Sequence, residues 1–172
     1  MHKDVLAGLN KQLNKEFASW YVYLAMSSYF DQADLPGFSA WMRVKAEEEL
    51  IHAMKIYDYI GHRGQERTLT PIVIDNTNWT SPVQAMQAAL EHEQSVSASI
   101  HAVLAVARTH TDYATEVFLH WFVLEQVEEE AEAAEMVAKV KLAGADNLFV
   151  IDNYMSQRAA QDSATKSAGT AE

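Results

Sequence analysis

The reading of the fold turns on GFSAWMRVKAEEELIHAMKIYDY, residues 37–59. Alternating steps of three and four trace one face through Phe38, Met42, Lys45, Glu49, His52, Ile56 and Tyr59. That spacing is the period of an amphipathic helix. The apolar stripe is interrupted at its middle by Lys45, Glu49 and His52. A carboxylate turned toward a core costs several kcal/mol to desolvate unless something compensates it. The stretch therefore predicts both a long helix and an unusual core.

Three further stretches carry the same pattern. Upstream, residues 3–33 give a stripe of Leu6, Leu9, Leu13, Glu16, Trp20 and Tyr23. Pro36 closes that helix, because proline disfavours helix at the residue before it. Downstream, Ser81-Pro82 opens a helix to about Arg108, with Met86, Leu90, Glu93, Ser97, Ile100 and Leu104 on one face. Asp112 caps a fourth helix running to about Ala143. Its stripe is Phe122, Gln126, Glu129, Ala133, Met136 and Val140, and Gly144 is its stop. A short fifth helix is expected at 146–157. The stretch 158–172 has no aromatic or branched aliphatic residue and is expected to be a disordered tail.

Connection lengths set the topology. The first and second helices, and the third and fourth, are joined by short links, so each pair is an antiparallel hairpin. The link from Gly64 to Thr80 is long for a compact domain. Fully extended, it reaches roughly 55–60 Å, against roughly 40 Å for a helix of this length. It can cross the whole bundle and leave the third helix parallel to the second. The expected fold is all-α: a four-helix bundle with one long crossover and a short fifth C-terminal helix, over residues 1–157.

Composition excludes much chemistry. The chain has 172 residues, 13 Lys+Arg and 24 Asp+Glu, for a formal charge of −11. It has no cysteine, which removes disulfides, thiolate zinc sites, iron–sulfur clusters and thiol catalysis. The acidity argues against nucleic acid as a partner and is compatible with cations. No continuous apolar run is long enough for a signal peptide or a membrane span, so a soluble cytoplasmic protein is expected.

The interruptions of the four stripes agree in depth. Glu16, Glu49, Glu93 and Glu129 each lie roughly 17–26 Å from their helix starts. In a bundle that is one layer near mid-length. Carboxylates sharing a buried layer repel one another, and a multivalent cation would offset both the repulsion and the burial. Glu49 and His52, three apart, share a helix face. One imidazole among several carboxylates suits iron or a similar divalent ion. Taken singly, each of these residues has an ordinary reading as a solvated glutamate or a hydrogen-bonded histidine. The common layer is what argues for metal. The acid-rich run 125–132 reads as an exposed face for Glu130 and Glu132. Glu125 and Glu128, next to the core stripe, are placed to flank the layer together with Glu48.

Several motifs carry a family resemblance. They are Asn-Lys-Glu at 14–16, Tyr23, Ala-Glu-Glu-Glu-Leu-Ile-His at 46–52, His-Glu-Gln at 92–94, and Phe-Leu-His-Trp-Phe-Val-Leu-Glu-Gln-Val-Glu-Glu-Glu at 118–130. Over residues 4–157 the sequence resembles the non-haem bacterial ferritins. The resemblance implies a di-iron ferroxidase centre. Glu16, Glu49 and His52 would hold the first iron. Glu49 would bridge to a second iron held by Glu93 and Glu129, with Gln126 nearby and Tyr23 beside the centre. Glu48, Glu125, Glu128 and Glu129 would form a third iron site.

The resemblance further implies that Fe(II) is oxidised by O2 or H2O2 and stored as ferric mineral in a homo-oligomeric shell of 24 subunits. The fifth helix would lie at the fourfold axes, and Glu116 would face a pore, with Leu119 where a second pore acid is expected. Departures separate the relatives. Bacterioferritin carries a second Glu-x-x-His where this chain has Gln126 and Glu129, and its haem-ligating methionine falls at Leu50, so no haem is expected. Rubrerythrin's cysteine-ligated iron is excluded by the absence of cysteine. A di-iron oxidase or peroxide scavenger without storage is the alternative on the same bundle.

Overall fold

A computed structural model of the chain describes residues 1–74 and 76–169, with side chains through residue 164. Four long helices form the bundle: α1 (Lys3–Gln32), α2 (Pro36–His62), α3 (Pro82–Thr109) and α4 (Tyr113–Ala143). A 3-10 turn at Ala145–Asn147 leads into α5 (Leu148–Gly169). Among the described residues every regular element is helical.

The helix ends follow local chemistry. The Ser81 hydroxyl accepts from the Gln84 N–H at 3.2 Å, and the Asp112 carboxylate accepts from the Thr115 N–H at 3.2 Å. Gly144, at φ +62, ends α4 in a conformation that side chains disfavour. The start of α2 differs, because Leu35 offers no capping group. Its orphan N–H groups are met from elsewhere: Asp152 Oδ1 on α5 accepts from the Gly37 N–H at 2.8 Å and the Phe38 N–H at 3.0 Å. Gly37 also makes the approach feasible, since a Cβ there would fall 1.9 Å from the Asp152 carbonyl oxygen.

Cross-helix contacts give the directions. Ser27 meets Ser39, so α1 and α2 are antiparallel. Ser19 meets His92 and Lys15 meets Ser95 on α1 and α3. Lys45 meets Glu129, and Tyr59 meets Thr115, on α2 and α4. Both of these pairs are antiparallel, which leaves α3 parallel to α2 as the long link requires. The link is pinned along α1 by a side-chain ladder. Asn10 and Asn14, one turn apart, bond the backbone of residues 66, 68 and 70 at 2.7–3.2 Å. Trp79 ends the link buried against Tyr29, whereas Leu69 and Val73 remain exposed.

The fifth helix departs from expectation. It spans 22 residues, so it is not short, and it does not give way to a disordered tail at residue 158. The face that carries Asp152 and Met155 continues to Ala159, and all three are buried. Arg158 donates to Glu132 on α4 at 2.6 Å. Large apolar groups were not needed: alanine carries high helix propensity and packs where the approach is close. Residues 170–172 of the expected tail lie outside the described residues.

The core is divided. One apolar cluster is built on Phe30, Phe38, Met42, Met86 and Met136, and the other on Leu9, Leu13, Ile56, Ile100 and Phe122. Between them lies a polar layer.

Candidate metal centre

The polar layer collects Glu16 from α1, Glu49 and His52 from α2, Glu93 from α3, and Gln126 and Glu129 from α4. All six are buried. Equal depth on each helix and antiparallel packing bring them to one level, as the stripe interruptions predict.

Glu16, Glu49 and His52 form the tightest group, with one candidate ligand atom from each lying within 4.8 Å of the others. His52 Nδ1 stands 3.6 Å from Glu49 Oε2. Trp121 and Phe122 set the imidazole edge-on, at ring distances of 5.4 and 6.0 Å. Gln12 donates to Glu16 Oε1 at 2.7 Å and is itself held by the Ser99 hydroxyl. Glu16 Oε2 and Glu49 Oε2 have no hydrogen-bond partner. Burial, and then the neighbouring carboxylates, raise both carboxyls well above their ordinary range. Without metal such a pair retains protons, and a divalent cation would displace them.

Glu93 and Gln126 form the second half. Gln126 Nε2 donates to Glu93 Oε2 at 3.1 Å and approaches the Ser97 hydroxyl at 3.3 Å. The Tyr23 hydroxyl donates to Glu93 Oε1. Burial and the adjacent Glu93 raise the Tyr23 phenol well above its ordinary value, so it stays protonated. His92 lies edge-on to Tyr23 at 6.0 Å and contacts the Ser19 hydroxyl at 2.7 Å.

Glu129 faces both ways. Its carboxyl is raised to about 7, by burial first, against the lowering effect of Lys45. Lys45 Nζ donates to Glu129 Oε2 at 2.8 Å and to Glu132 Oε2 at 2.7 Å, and pairs with Glu48 Oε2 at 3.0 Å. Burial works against the Lys45 ammonium, but these three carboxylates overturn that and hold its pKa well above the usual value. Glu48, Glu125, Glu128, Glu129, Glu132 and Asp162 line a cavity of about 180 Å³ around this lysine.

Every member of the layer interrupts an apolar stripe in the sequence, whereas part of its support leaves no such trace. Gln12 gave no signal beyond a polar residue one turn before Glu16. Lys45 was visible on the α2 stripe without an assigned partner. Glu130 and Glu132 are not simply an exposed face: both are half-buried, Glu130 accepting from the Ser97 hydroxyl and Glu132 bridging Lys45 and Arg158. Leu119 is fully buried in the bundle core and does not face outward. Glu116 pairs with Arg108 at 2.8 Å.

A bundle with this crossover and a mid-layer of carboxylates and histidine defines the ferritin-like class of helical metal-binding proteins. The ferritin-like domain family matches residues 6–143. The chain belongs to the ferritin family. It is 39% identical over 150 residues to a bacterial non-heme ferritin of Bacteroides fragilis, covering 87% of this chain and 94% of that one. A bacterial non-heme ferritin of Campylobacter jejuni is 35% identical over 157 residues, covering 90% of this chain and 94% of that protein. Among solved structures, an open-pore ferritin of the hyperthermophilic archaeon Archaeoglobus fulgidus superposes with a TM-score of 0.89 at 42% identity, covering 91% of this chain and 96% of the other. An engineered closed form of the Archaeoglobus fulgidus ferritin gives a TM-score of 0.88 at the same identity and coverage.

Proposed function

We propose that this protein is an iron-storage ferritin with ferroxidase activity. The observation that carries this reading is the cluster of Glu16, Glu49 and His52, with two buried carboxylate oxygens that no donor reaches. Such an oxygen-rich set with one imidazole suits a divalent cation, and Fe(II) as substrate is one. Glu16, Glu49 and His52 hold one Fe(II). Glu49, Glu93 and Glu129 hold a second, with Gln126 orienting Glu93.

Each Fe(II) gives up one electron. A pair of ions reduces O2 to the peroxide level, or H2O2 to water. The protein fixes the two ions side by side and leaves them open positions for the oxidant. Tyr23, protonated and bonded to Glu93, orients that ligand beside the centre. No haem is needed for any of this.

Storage needs an enclosed interior, and a homo-oligomeric shell of 24 subunits provides it. Exposed apolar side chains support association, among them Leu24, Ile51 and Met54. Among the described residues no helix is long and apolar enough to cross a membrane, and the protein is assigned to the cytoplasm.

Stopped-flow absorbance after mixing aerobic apoprotein with Fe(II) tests the centre. The Glu49→Ala/His52→Ala double variant is expected to lose more than about 100-fold in oxidation rate, because it removes three of the ligand contacts. A rate like that of the unaltered protein rejects the assignment. Storage is tested separately by counting iron. Many ions per subunit in a mineral core support it, whereas saturation at two points to a di-iron oxidase or peroxide scavenger.

A further inference from the structure

The cavity on the α2–α4 seam holds the residues that the family resemblance assigns to a third iron: Glu48, Glu125, Glu128 and Glu129. It also holds a cation of the chain's own. We propose that the Lys45 ammonium is a built-in occupant of this third cation site, so that the centre binds two metal ions and excludes a third. The proposal rests on the two-ion reading above.

The geometry is that of an ion in a carboxylate cage. Lys45 Nζ has oxygens of Glu132, Glu129 and Glu48 at 2.7, 2.8 and 3.0 Å. Two of these carboxylates, Glu129 and Glu132, accept hydrogen bonds from the ammonium, and Glu48 completes the cage as an ion pair. The lysine is only 5% exposed, so it does not exchange freely with solvent. To leave, it would break two charge-assisted hydrogen bonds and an ion pair, and uncover Glu129 beside the two-ion centre. Arg158 adds a second internal cation: it holds the other oxygen of Glu132 at 2.6 Å and stands 3.9 Å from Asp162. Two cations of the chain itself thus offset much of the acidic charge in the inner half of the cavity.

A divalent ion placed among Glu48, Glu125, Glu128 and Glu129 would share two of its carboxylates with this ammonium and sit beside it. Like charges at that separation repel strongly in a partly buried site. Glu125 and Glu128, half-buried and exposed respectively, remain at the rim and can attract cations in passing. Without Glu48 and Glu129 they do not form a closed ligand set.

Anomalous diffraction from Zn²⁺-soaked crystals of assembled apoprotein, with equilibrium dialysis in parallel, tests the proposal. The unaltered protein is expected to show two ions per subunit, at Glu16/Glu49/His52 and at Glu49/Glu93/Glu129. Lys45→Gln is expected to gain a third ion, bound at least about tenfold more tightly there than in the unaltered protein. Lys45→Arg, which keeps the charge, is expected to stay at two. A third ion seated at Glu48/Glu125/Glu128/Glu129 in the unaltered protein overturns the proposal. So does a correctly assembled Lys45→Gln that still binds only two. Failure of the underlying two-ion reading shows differently, as an empty Glu16/Glu49/His52 position in all three proteins.

Discussion

Two acidic clusters meet on α2, and they solve the same electrostatic problem in opposite ways. Around Glu49, carboxylates from α1 and α2 are buried with an imidazole and no cation, and two oxygens have no donor. Around Glu48, one step along the same helix, carboxylates from α2 and α4 close on the Lys45 ammonium. The first cluster is built at the expense of apoprotein stability, and the second folds around a counter-charge of its own, held by hydrogen bonds to Glu129 and Glu132 and by an ion pair with Glu48. A count of acidic residues does not separate them. What separates them is whether the chain supplies its own counter-charge, and only the cluster without one demands a metal ion from outside.

This contrast can be broken by substitution. The largest effect is expected on the side that carries its own cation. Lys45→Gln leaves Glu129 and Glu48 without their partner and should destabilise the apoprotein by about 3 kcal/mol, the range for breaking a buried ion pair. Thermal or denaturant unfolding of the metal-free protein measures it, and an unchanged midpoint would show that Lys45 is not a structural cation. The opposite sign is expected in the other cluster. Glu16→Gln removes a buried carboxyl whose Oε2 no donor reaches. It should stabilise the apoprotein by about 1–2 kcal/mol while weakening the first metal position. Loss of stability on both sides would erase the distinction.

A smaller effect tests the support of the first cluster. Gln12→Leu removes the donor to Glu16 Oε1, and first-position metal affinity should fall about tenfold by isothermal titration. The last test uses pH. Glu129 titrates near 7 in the folded chain against an ordinary value of 4.5, and Glu16 and Glu49 are raised as well. Folded protein therefore holds protons that unfolded protein has released. Apoprotein stability should decline as pH rises from about 4.5 through 7, because the unfolded state binds fewer protons there. Metal-loaded protein should show a flatter profile, and metal binding at pH 6 should release more protons than at pH 8. Calorimetry in buffers of different ionisation heat reads that difference.

Much of the bundle was legible along the chain. The stripes of α1 to α4, the Pro36 and Ser81-Pro82 boundaries, the Asp112 cap and the Gly144 stop are local signals, and local signals survive without tertiary context. The mid-layer was legible because equal depth on four helices needs only the rise per residue and a bundle. The end of α5 was not. The chain from Arg158 onward looked structureless because it lacks large apolar groups, yet Ala159 packs and Arg158 pairs with Glu132. Helix docking through small residues and a long-range ion pair leaves little periodic trace.

The sequence by itself determined where α1 to α4 lie, that a long link lets α3 run parallel to α2, and that carboxylates and a histidine share one level. These follow from period, breakers and length. Only the tertiary structure decided which carboxylates are left needing a cation. Lys45 and Glu129 are 84 positions apart, and Asp152 caps α2 through Gly37, 115 positions before it. Partners so distant are chosen by packing, because charge and hydrogen-bond complementarity act through space and carry no period along the chain.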